Sequence, residues 1–103
     1  MIRAELYESN GLLNGFRISG HAGYAEKGND VVCAAVSSAV QLIVNLLNEF
    51  DCVPQMSVED NVVECRTSAS PNTASAMLEQ LKLHFETILE EFPKTIKITI
   101  SEV

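Results

Sequence analysis

Val31-Val32-Cys33-Ala34-Ala35-Val36-Ser37-Ser38-Ala39-Val40-Gln41-Leu42-Ile43-Val44-Asn45-Leu46-Leu47-Asn48 is a run of 18 residues without a single charge, and its reading decides the fold. A stretch of this length and composition can cross a bilayer. Projected at about 100° per residue, however, it separates into two faces. Val32, Val36, Val40, Ile43, Leu46 and Leu47 fall on one side, and Ser37, Gln41, Asn45 and Asn48 on the other. A polar stripe facing lipid would leave its groups unsatisfied, so the run predicts an amphipathic helix packed on a protein core, with no membrane partner.

The flanking segments supply that core. Ile2, Ala4 and Leu6 alternate with Arg3, Glu5 and Tyr7, the period of a half-buried strand, and Ser9-Asn10-Gly11 supplies a turn. Phe16 and Ile18 alternate with Arg17 and Ser19, which completes a hairpin. A second hairpin is expected from about Met56 to Thr67, turning at Glu59, Asp60 and Asn61. A second helix follows, with Ser70 as cap, Pro71 at the first helical position and Pro93 as stop. Its buried stripe is Met77, Leu78, Leu81, Phe85, Ile88, Leu89 and Phe92, and Ile96, Ile98 and Ile100 mark a last strand. The order predicts one α+β domain over residues 1–103, a two-layer ββαββαβ sandwich in which a mixed sheet carries both helices on one face.

Composition narrows the function. With 103 residues, 47% of them apolar and 20% charged, the chain has one core and is not disordered. Seven Lys and Arg stand against 14 Asp and Glu, a net charge of −7. The cations are scattered over Arg3, Arg17, Lys27, Arg66, Lys82, Lys94 and Lys97, so no basic face is expected and no direct nucleic-acid partner. MIRAELYESN has charges at positions 3, 5 and 8 and no apolar segment of the secretory kind, which predicts a cytoplasmic protein. The odd cysteine set, Cys33, Cys52 and Cys65, contains no CxxC pair and fits reduced thiols. Without a clustered ligand pair, neither a metal nor a cofactor is expected.

Chemistry concentrates where the first hairpin joins the first helix. Gly20, Gly23 and Gly28 lie within nine residues of Gly20-His21-Ala22-Gly23-Tyr24-Ala25-Glu26-Lys27-Gly28-Asn29-Asp30. Asp30 is read as the helix cap, which places Cys33 at the third helical position, beside the positive end of the helix dipole. That setting favours a thiolate, and His21, at the end of the preceding strand, can converge on it as a base. Asp30 can alternatively orient the imidazole, though a side chain engaged as cap has little freedom to do both. Backbone N–H groups around Val32 to Ala34 are expected to form an oxyanion hole. Gly20, Gly23 and Ser37 are candidate substrate contacts, whereas Cys52, Cys65 and His84 are read as structural. Two readings stay open on the residues alone: a thiol endopeptidase, or a non-catalytic module docking on an assembly partner with Cys33 buried.

The segments Gly20-His21-Ala22-Gly23-Tyr24-Ala25, Gly28 and Asp30-Val31-Val32-Cys33-Ala34-Ala35-Val36-Ser37 together resemble the Prp family of ribosomal-processing cysteine proteases. The resemblance implies a small cytoplasmic homodimer that removes a short N-terminal extension from a large-subunit ribosomal protein, the twenty-seventh of the bacterial series. In that family His21 matches the catalytic histidine and Cys33 the nucleophile.

Overall fold

The structure, a computed structural model, describes residues 1–20 and 27–103, with side chains in the first helix from position 31 onward. The chain runs β1 (Ile2–Ser9), β2 (Leu12–Ser19), α1 (Lys27–Glu49), β3 (Pro54–Glu59), β4 (Val62–Thr67), α2 (Pro71–Glu91) and β5 (Ile96–Glu102). The five strands form one sheet in the order β3-β4-β2-β1-β5. β5 lies parallel to β1, and the remaining pairs are antiparallel, so the sheet is mixed as expected.

Asn10 and Gly11 both adopt positive φ, 55° and 79°, the conformation a two-residue hairpin turn requires. The register shifts between Tyr7 and Glu8, a bulge that sets Gly15 opposite Tyr7. Here glycine is obligatory, since a Cβ on Gly15 would sit 2.3 Å from the backbone oxygen of Cys65 on the neighbouring strand.

One face of the sheet forms the core. Ile2, Ala4, Leu6, Phe16, Ile18, Cys65 and Ile96 are buried with Val32, Val36, Val40, Ile43 and Leu47 of α1 and Ala74, Leu78, Leu81 and Phe85 of α2. α1 is long and apolar enough from Val31 to Glu49 to cross a membrane, yet its apolar stripe is buried against protein while Ser37, Gln41, Asn45 and Asn48 are exposed. Pro71 opens α2 and the helix stops before Pro93, as read. Ser70 departs from expectation. It holds a left-handed conformation at φ 51° and makes no side-chain cap bond. Its hydroxyl instead donates to the Asp51 carbonyl at 3.0 Å and ties the start of α2 to the segment entering β3.

The other face of the sheet is open and polar. Strand register gathers cations there that the sequence scatters, correcting the expectation that they stay dispersed. Arg3 pairs with Lys97 and Ser19, Glu5 with Arg17 and Thr99, and Arg17 with Glu64. Tyr7 lies under Arg66, whose guanidinium is 4.5 Å from the ring centroid. The Tyr7 hydroxyl donates to Glu64 at 2.7 Å, and Arg66 Nε stands 3.6 Å from the same carboxylate. Burial, helped by the Glu64 charge, pushes the phenol up to about 12. The Tyr7 hydroxyl in turn holds the Glu64 carboxyl below its ordinary range. Because the folded phenol ionises later than the unfolded one, its contribution is complete below pH 10 and is lost as the pH rises to about 12. Tyr7→Phe is therefore expected to show a shallower loss of stability across that window, measured by urea titrations at stepped pH. An unchanged slope would remove the tyrosine as its cause.

Candidate active site

α1 begins earlier than its sequence signals indicate. It starts at Lys27, so Asp30 stands inside the helix rather than capping it, and Cys33 is the seventh helical residue instead of the third. Gly28 and Asn29 read as loop residues, yet the helix runs through both. Two consequences follow for the thiol. The dipole effect fades beyond the first turn, so it contributes less at Cys33 than the sequence reading required. The N–H groups of Val32, Cys33 and Ala34 also lie past the first four helical residues, the ones an α-helix leaves unbonded. They are committed to the helix, and a developing oxyanion has to be met by other donors.

What positions Cys33 is packing. Its side chain is partly buried against the core on the first described turns of α1, between buried Val32 and Val36. It lines a cleft of about 260 Å3 together with Gly20 and Ser37, so three of the residues singled out from sequence meet at one place. Gly20, at the end of β2, has φ +80°, and a Cβ there would lie 2.7 Å from the Met1 carbonyl oxygen. Glycine is thus what lets the chain leave β2 beside the cleft. His21 and Gly23, and the side chain of Asp30, lie outside the described residues.

Asp60 and Asn61, at the β3–β4 turn, also line the cleft. The sequence marked them only as a turn, and nothing in linear order says that this turn reaches the start of α1. Beyond Ser37 the cleft opens into a groove of about 460 Å3 between α1 and the β3–β4 hairpin, sharing Ile18, Val36, Ser37 and Val63 with it. Val40 and Val44 form its helix wall, and Met56 and Val58 its strand wall. Met56 and Val58 are 41% and 66% exposed, a large apolar area left open along an edge strand.

The other thiols differ in kind. Cys52 and Cys65 are wholly buried, and loss of water around them pushes both thiols up, Cys65 to about 11. Among the described residues no three His, Cys, Asp or Glu side chains converge as a metal site would require. His84 is exposed on α2, where it borders a groove between the two helices.

A partly buried thiol on a helix, lining a cleft that continues as a largely apolar groove, suits attack on an extended peptide, and known structures share the arrangement of elements. The ribosomal processing protease Prp from S. aureus, solved with a covalently linked product peptide, superposes with a TM-score of 0.85 at 24% identity, covering 98% of this chain and 100% of that one. Its complex with a substrate peptide gives the same score at 23% identity over the same shares. SMU.848 from Streptococcus mutans superposes with a TM-score of 0.80 at 28% identity, covering 100% of this chain and 96% of that one. Among curated proteins none matches. The family model of cysteine protease Prp matches residues 1–97, nearly the whole fold and all of the cleft, and the chain accordingly belongs to this family and is a cysteine protease.

Proposed function

We propose that this protease acts in the cytoplasm as a homodimer and removes a short N-terminal extension from a large-subunit ribosomal protein, the twenty-seventh of the bacterial series. Cys33 is the nucleophile and His21 its base. His21 takes the proton of the Cys33 thiol as the sulfur bonds to the scissile carbonyl carbon. The tetrahedral intermediate collapses, the amine leaves with the proton held by His21, and water then hydrolyses the thioester to release the peptide acid.

The observation that carries this reading is the continuity of the Cys33 cleft with the groove walled by Val40, Val44, Met56 and Val58. An extended peptide laid along it can bury alternate apolar side chains while its backbone passes the sulfur. The S. aureus structures with product and substrate peptides support the same use of the fold. The test is mass analysis of the ribosomal protein, with and without its extension, after incubation with the enzyme. A single cut at the extension junction is expected, and an intact extension overturns the substrate assignment.

Charge adds a rate term. With a net charge of −7, and with Asp60 at the cleft, the molecule attracts a basic ribosomal protein over about a Debye length, roughly 8 to 10 Å at physiological salt. Raising ionic strength is expected to lower kcat/KM for the full-length basic substrate and to leave a short neutral peptide with the same junction nearly unchanged. Identical salt curves would leave the acidic surface without a part in recognition.

A further inference from the structure

The open face of the sheet, away from the helices and the thiol cleft, holds a shallow depression of about 220 Å3 in which Arg3, Arg17 and Lys97 surround Glu5. Arg3 and Lys97 are direct partners across the parallel β1–β5 pair. Like charges placed so repel, and an arrangement of this kind costs stability unless something neutralises it. Among the described residues no ion pair does: the pairs are Arg66 with Glu64 and Lys82 with Glu79, and neither involves Arg3, Arg17 or Lys97.

The carboxylates nearest these cations are drawn elsewhere. Glu5 accepts a hydrogen bond from the Ser101 hydroxyl at 2.5 Å, and Ser101 stands in the Tyr7 row, on the side of Glu5 away from Arg3 and Lys97. Glu64, the cross-strand partner of Arg17, is engaged by Tyr7 and Arg66 of that same row. Two separate contacts thus pull negative charge toward one end of the face and leave the other end positive, on a molecule whose net charge is −7. Ser19 and Thr99 line the depression as well and add two hydroxyl donors.

We propose that this depression binds a phosphate group of a small ligand, a phosphomonoester or diphosphate. A carboxylate would bring one charge and two oxygens to three cations. A phosphate dianion brings about twice the charge and three or more acceptor oxygens, enough to engage both guanidinium groups and the ammonium together. The site is independent of the proteolytic reading, since it uses no residue of the Cys33 cleft.

Pyrophosphate is the probe, titrated into the purified protein by calorimetry at physiological salt. Saturable one-to-one binding is expected, weakened about tenfold by Arg3→Gln and by Lys97→Gln, the loss of one charge-assisted contact in each. Lys82→Gln, on α2, leaves it unchanged. Ser101→Ala removes no cation but frees Glu5 to swing toward Arg3 and Lys97, and it too weakens binding. Circular dichroism of each variant establishes that the fold is retained. Binding that is absent, or that survives both Arg3→Gln and Lys97→Gln, overturns the proposal. An RNA oligonucleotide without terminal phosphate that competes as well as pyrophosphate also overturns it, because the face would then be a diffuse polyanion surface.

Discussion

Cys33→Ala and His21→Ala are each expected to lower peptide cleavage by roughly four to six orders of magnitude, the loss that follows when a nucleophile or its base is removed from a unit that works together. The double variant is little worse than either single one, because each deletion already disables the proton transfer that the other group needs. Stability responds far less. The Cys33 side chain is small and only partly buried at the rim of the core, so its truncation costs about 1 kcal/mol or less. The measurement is kcat/KM beside the melting temperature for all three variants. Turnover retained in Cys33→Ala would remove this residue from the mechanism, and a melting temperature that collapses with activity would reassign it to packing.

The parts of the fold legible in the sequence are those written in local chemistry. Alternation in Ile2 to Tyr7, the Asn10-Gly11 turn, the stripe of α2 and the paired prolines at its ends each depend on neighbours a few residues away, and the structure keeps them all. The start of α1 was less legible. Asp30 carries a cap signal and Gly28 a loop signal, yet the helix extends back to Lys27, which shifts Cys33 by a full turn. Ser70 shows the same weakness, since a hydroxyl able to cap a helix took a tertiary partner in the Asp51 carbonyl.

Features set by strand order could not be read at all. The parallel docking of β5 on β1 puts Lys97 beside Arg3 across most of the chain length, and no periodicity within either strand implies it. The reach of Asp60 and Asn61 to the Cys33 cleft, and the apolar groove beyond it, likewise arise only once the second hairpin is folded against α1. Of the residues lining the cleft, Gly20, Cys33 and Ser37 are singled out in the sequence by type and spacing, whereas Asp60 and Asn61 are not.

Alkylation in the folded state is expected to separate the three thiols by two orders of magnitude or more, with Cys33 modified first. Cys52 and Cys65 are 0% exposed, so iodoacetamide reaches them only through opening of the core. Burial adds a second barrier. Moving the Cys65 thiol from 9.0 to about 11 leaves about one-hundredth of the thiolate at neutral pH, and the thiolate is the reacting form. Cys33, partly buried and lining the cleft, can be reached without opening of the core. Locating adducts by mass spectrometry over a time course gives the three rates, and denaturant should bring them together. His21→Ala then distinguishes two sources of the difference. If the imidazole activates the sulfur, Cys33 slows in that variant while Cys52 and Cys65 do not; if exposure alone sets the order, all three rates stay as they were. Equal rates in the folded wild-type protein, or Cys33 reacting last, would show that the cleft does not present the thiol to a reagent, and so cannot present it to a peptide.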